Sequence, residues 1–74
     1  MNGLMLIRIG AKETPAFLQE VGKLEGVVDA YAVFGRFDVA VLIEGKGFLG
    51  VKAVAANVTK LKGVKSTETL IEGK

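Results

Sequence analysis

Short, almost uniformly apolar runs alternate along this chain with longer stretches in which apolar residues recur every three or four positions. Leu4-Met5-Leu6-Ile7-Arg8-Ile9 and Phe37-Asp38-Val39-Ala40-Val41-Leu42-Ile43 are too short for helices and run into glycines, so both predict strands. After the first, Thr14 reads as a helix N-cap with Pro15 at the first helical position, and Phe17, Leu18, Val21 and Leu24 line one face. After the second, Val51, Val54, Ala55, Val58 and Leu61 repeat that spacing with Lys52, Asn57 and Lys60 turned outward, which predicts an amphipathic helix of about three to four turns. Gly26 and Gly63 follow where left-handed caps would stop the helices. Strands from Val27 to about Phe34 and from Lys65 to about Glu72 complete the pattern.

The order is strand, helix, strand, twice, and the residues themselves repeat. Lys23-Leu24-Glu25-Gly26-Val27 returns as Lys60-Leu61-Lys62-Gly63-Val64, 37 residues later and half the chain length. At that offset Leu4 and Leu6 fall on Val41 and Ile43, Gly10 on Gly47, and Phe17 and Val21 on Val54 and Val58. A tight hairpin at Phe34-Gly35-Arg36-Phe37, with Gly35 supplying the turn, is expected to join the halves. Two such units side by side give an α+β, ferredoxin-like βαββαβ fold, with a four-stranded antiparallel sheet and both helices on one face.

That architecture leaves the other sheet face uncovered, where every second residue should be polar. The third strand instead carries Phe37, Val39, Val41 and Ile43 on one side and Ala40 and Leu42 on the other, and the first has Met5, Ile7 and Ile9 opposite Leu4 and Leu6. Each large side chain left in water forgoes about 1.5 to 3 kcal/mol, and contiguous apolar patches mark interfaces. The expected solution is a homodimer, sheet facing sheet, forming a dimeric α/β barrel.

Composition narrows the function. Half of the 74 residues are apolar, although one small domain buries only about 60 to 65% of its unfolded surface. With no cysteine and no histidine, disulfides, thiolate metal sites and an imidazole base are excluded. The lysines are scattered and the net charge is +2, which reads as a solvated surface rather than a nucleic-acid stripe. Neither a membrane span nor a basic leader is evident, so the expectation is a complete, cytoplasmic, single domain over residues 1–74 with no cofactor.

Candidate chemistry is sparse. The glycines of Glu44-Gly45-Lys46-Gly47-Phe48-Leu49-Gly50 lack the lysine and hydroxyl of a phosphate loop in the right order. Asp38, just after the turn, either grips an amino group or bonds the turn's backbone amides. Thr67 and Thr69 alternate and share one strand face, where they either contact a small polar ligand or simply suit a strand. Arg8 and Arg36 are anion contacts or surface residues. Tyr31 and Phe34 are too few for a base-stacking platform.

Together, Gly26-Val27, the run Ala30-Tyr31-Ala32-Val33-Phe34-Gly35-Arg36-Phe37-Asp38, the helix ending Leu61-Lys62-Gly63-Val64, and Thr67-Glu68-Thr69 resemble the effector-binding domain of the Lrp/AsnC transcription regulators. The resemblance runs from about Leu4 to Ile71 and implies a ferredoxin-like domain that dimerises through its sheet and builds rings, often octamers. It also implies a pocket between dimers for an amino acid or related effector. Gly35 and Asp38 would hold the effector's polar main-chain groups there, Phe34 and Arg36 would tune the pocket, and Thr67 and Thr69 would add contacts. Regulators of that family carry a helix-turn-helix domain ahead of this one, and nothing here precedes the first strand to form it. The expected role is a stand-alone, non-enzymatic sensor that co-assembles with full-length regulators and does not itself touch DNA or membrane. A purely structural oligomerisation module, comparable in element order to the ACT domain, and a small dimeric barrel enzyme working through Asp38 are the competing readings.

Overall fold

A computed structural model of the chain describes residues 1–72, so the last two positions of the expected 1–74 domain lie outside the described residues. The six elements follow in the expected order: β1 (Asn2–Ile9), α1 (Thr14–Val21), β2 (Val27–Ala32), β3 (Val39–Glu44), α2 (Gly47–Thr59) and β4 (Val64–Ile71). The strands make one antiparallel sheet in the order β2-β3-β1-β4, the ferredoxin-like βαββαβ arrangement. The two most apolar strands, β1 and β3, take the central places. The sheet stays open, so no barrel forms within one chain. Among the described residues no helix is long and apolar enough to cross a membrane.

Register explains the core. Met5 stands opposite Val41 and Thr69, and Ile7 opposite Val39 and Thr67; directly opposed residues share a face. Met5, Ile7, Val39, Val41 and Ile43 therefore all turn toward the helices and are buried, meeting Phe17 and Val21 of α1 and Val51 and Val58 of α2. The helix faces read from the sequence are the faces that pack. On the other side of the sheet Leu42, Leu4 and Leu70 stand abreast across β3, β1 and β4, lining a shallow hollow of about 330 Å³. Leu70 and Tyr31 remain 54% and 46% exposed, so the second apolar face inferred from strand patterning is present and uncovered.

Three local expectations change. First, Thr14 does not cap α1: the Gly10–Glu13 turn already winds into the helix, with Glu13 N–H donating to the Gly10 carbonyl at 3.0 Å. Glu13 stands at the cap position in helical geometry, and the Thr14 hydroxyl points backward to donate to Gly10 O at 3.1 Å. Second, both helices end before Leu24 and Leu61, which sit in following turns and still pack against the core. Gly26 and Gly63 do take left-handed geometry, each at φ +93°, but at the strand entrances. A Cβ at Gly26 would run into Val54, and one at Gly63 into Glu13 at 2.8 Å, so both close approach and backbone geometry select glycine there. Third, the hairpin is not tight. β2 stops at Ala32 and β3 starts at Val39, leaving a loop from Val33 to Asp38 whose base is closed by Val33 N–H donating to Asp38 O at 2.9 Å.

Candidate functional site

The loop's base is organised by Asp38. Its N–H donates to the Ile7 carbonyl at 2.9 Å, its carbonyl accepts from Val33, and its carboxylate Oδ2 accepts from the Ile9 N–H at 2.9 Å. The side chain thus stands in for a backbone acceptor where β3 stops pairing with the end of β1, and together with its two backbone bonds the residue ties β1 to the ends of β2 and β3. It bonds a neighbouring strand, not the amides of its own turn. The second carboxylate oxygen has no hydrogen-bond partner among the described residues.

Beyond this bracket the loop projects into solvent. Gly35 adopts φ +115° with nothing within 4 Å of a notional Cβ, so only the backbone calls for glycine. Phe34 beside it is 101% exposed, and Arg36 is exposed as well. The sole ion pair among the described residues joins Lys23 to Glu20 at 3.6 Å on the surface of α1, so Arg36 faces solvent with its charge unmatched.

Thr67 and Thr69 do share a face, the one toward the helices, opposite Ile7 and Met5 respectively. Asp38 and Thr67 flank β1 from opposite sides, two strand spacings apart, or roughly 10 Å. Thr69 lies one pair further from Asp38. It borders a groove between α2 and β4, together with Phe48, Lys52 and Ala56.

Within one chain, then, the six residues singled out from the sequence do not enclose one pocket. They fall into an exposed loop tip, a carboxylate bracket and a pair of hydroxyls across the sheet. Of the four main surface hollows among the described residues, none is lined by Phe34, Gly35, Arg36, Asp38 or Thr67. Sequence reasoning missed the groove; its signal was the small pair Ala55-Ala56, preceded by Phe48 about two turns upstream. Among the described residues no polar side chain is buried and no His, Cys, Asp or Glu cluster could hold a metal.

Comparison with known proteins is consistent with this geometry. No curated protein sequence matches the chain. Among solved structures, TTHA0845 from Thermus thermophilus superposes with a TM-score of 0.90 at 27% identity, covering 99% of this chain and 92% of that one. AsnC of E. coli gives 0.88 at 24% identity over 99% of this chain and 50% of its own. An AsnC family transcriptional regulator from Agrobacterium tumefaciens gives 0.79 at 14% identity, over 93% and 47%. The chain thus spans nearly all of the first and about half of the other two; the last two likenesses show the fold. The family model described as the Lrp/AsnC ligand binding domain matches residues 3–72, which takes in every strand, both helices and the Asp38 loop, and on that match the chain belongs to the Lrp/AsnC ligand-binding domain family.

Proposed function

We propose that this chain is a self-associating regulatory module that binds a small, amino-acid-like effector at a site completed between copies. The observation that carries the reading is the Val33–Asp38 loop, which is anchored on three segments at its base yet presents a wholly exposed Phe34 at its tip. A large aromatic held out by a fixed base is an element awaiting a partner surface. The free oxygen of Asp38 is available to an effector ammonium, Arg36 to its carboxylate, and Thr67 and Thr69 to further polar contacts. The Leu42–Leu4–Leu70 band supports pairing sheet to sheet into a dimeric α/β barrel, with Phe34 loops then joining pairs into a larger ring such as an octamer. Full-length regulators of the same family, which share these surfaces, are the natural protein partners.

The test is light scattering at size exclusion, with and without a mixture of common amino acids. The reading expects a dimer or larger ring whose mass or melting temperature shifts with ligand. A ligand-blind oligomer leaves a structural scaffold, and a stable monomer removes the interface argument altogether.

A further inference from the structure

We infer that a second copy seats on the open sheet face about a two-fold axis running along the strands between β1 and β3, which brings Arg8 of that copy to Asp38. The inference rests on the sheet-to-sheet pairing proposed above and adds the contact that sets its symmetry. The open face is built of rows across the sheet. Asp29, Leu42, Leu4 and Leu70 stand abreast in one row, and Tyr31, Ala40, Leu6 and Glu68 in the next. Beyond them Arg8 stands opposite Ser66 on β4. Asp38, one residue past the Ile7–Val39 pair, is its neighbour on the β3 side. At the other end Asn2 stands opposite Glu44.

Two copies can face each other in two limiting ways. An axis along the strands keeps each row and exchanges β1 with β3 and β4 with β2. Leu4 then meets Leu42, the large Leu6 meets the small Ala40, Arg8 meets Asp38, and the Glu68 carboxylate meets the Tyr31 phenol; only Leu70 over Asp29 is unfavourable. An axis across the strands keeps each strand and inverts the rows. Centred on the apolar rows, it sets Leu70 on Glu68 and Glu44 on Asp38, a buried charge against a leucine and two like charges face to face. Charge complementarity therefore selects the first. Packed sheets cross at about 30°, so the match is closest near the axis, and Arg8 and Asp38 lie on the two strands that flank it. Within one chain Arg8, Tyr31 and Glu68 are exposed, and their side chains make no hydrogen bond or ion pair among the described residues. The Asp38 oxygen offered to an effector ammonium is thus contested by a cation of the second copy. Effector binding exchanges one cation for another at that carboxylate and loosens the pair.

The test is the dimer dissociation constant of the full chain without any effector, from sedimentation equilibrium and from the concentration dependence of urea denaturation. Arg8→Gln and Asp38→Asn, the second of which keeps an oxygen for Ile9, should each raise it by about three- to fivefold. The double variant should be no weaker than either single one, because both remove the same contact. Tyr31→Phe and Glu68→Gln should be coupled in the same way. Raising the salt concentration should narrow the gap between the parent and the Arg8–Asp38 double variant. Additive effects, or single variants that dimerise like the parent, would overturn the pairing. Should that happen while Leu42→Glu still dissociates the dimer, the symmetry fails and the sheet interface stands; a dimer indifferent to Leu42→Glu as well overturns both. Because no effector is present in any arm, failure of the effector reading leaves these outcomes unchanged.

Discussion

Replacing Asp38 separates two roles that one side chain carries here. Its Oδ2 accepts the Ile9 N–H at 2.9 Å, and Ile9 is only 3% exposed, so water cannot easily take over that acceptor position. Asp38→Ala strands a buried donor, at a cost of about 1 to 3 kcal/mol. For a domain this small, each kcal/mol moves the midpoint by about 4 to 8 °C. The alanine variant should therefore melt roughly 5 to 20 °C below the parent. Asp38→Asn keeps a side-chain oxygen at the same place and loses only the charge-assisted part of one bond, so it should lose less than about 1 kcal/mol. The assay is thermal and urea denaturation at one fixed protein concentration, because association adds its own stabilisation. If alanine and asparagine are equally destabilising, charge rather than the bracket matters; if neither moves the midpoint, the Ile9 bond contributes nothing and the reasoning fails. The asparagine variant is also the informative one for function, since it should retain the fold while losing its hold on an effector ammonium.

Other substitutions probe the remaining parts of the argument. Gly26→Ala and Gly63→Ala should each cost at least about 1 to 2 kcal/mol in urea denaturation, because backbone strain and a steric collision coincide. Gly35→Ala, strained but in open space, should cost only about 1 kcal/mol; an effect as large as that of Gly26→Ala would show that the loop tip is packed. Leu42→Glu places a charge at the centre of the open face and should reduce the mass measured by light scattering to that of a monomer with the fold kept, whereas an unchanged oligomer would place the interface elsewhere. Ile7→Ala, in the centre of the buried face, should cost about 2 to 5 kcal/mol, measured by the same denaturation.

Periodicity made the element order and both sheet faces legible, because a strand buried on both sides and a helix buried on one leave different spacings. Asp38 was legible as a residue of interest but not as a bracket: the acceptor it replaces belongs to β1, 29 residues away, and no local pattern encodes that reach. The same long-range bond is why the tight hairpin failed. With Asp38 turned to Ile9 and its carbonyl to Val33, regular pairing of β2 with β3 stops at Ala32 and Val39, and Phe34 to Phe37 are released as loop. For Thr67 and Thr69 alternation gave a shared face, but β4 has an apolar residue on each side, Ile71 and Leu70. Only the register with β1 decides which face is which.

The repeat itself was half right, and its failure is informative. Aligning Leu4 with Val41 pairs a residue on the open face with one buried under the helices, so the offset of 37 slips by one residue in the first strand of each unit and would invert every side chain there. The difference is absorbed between strand and helix, where Gly10–Glu13 precedes α1 and only Gly45–Lys46 precedes α2. The shorter connection brings Gly45 and Gly50 so close that a Cβ on Gly45 would lie 2.5 Å from the Gly50 backbone, and it lets α2 start early and run longer than α1. That early start places Phe48 and Lys52 beside β4, where the first unit has loop and Pro15 at the equivalent positions. Asp38, by contrast, sits at the junction between the two units, between β2 and β3. The anchored loop thus arises where the duplicated units are joined, and the groove between α2 and β4 arises where the second unit departs from the first.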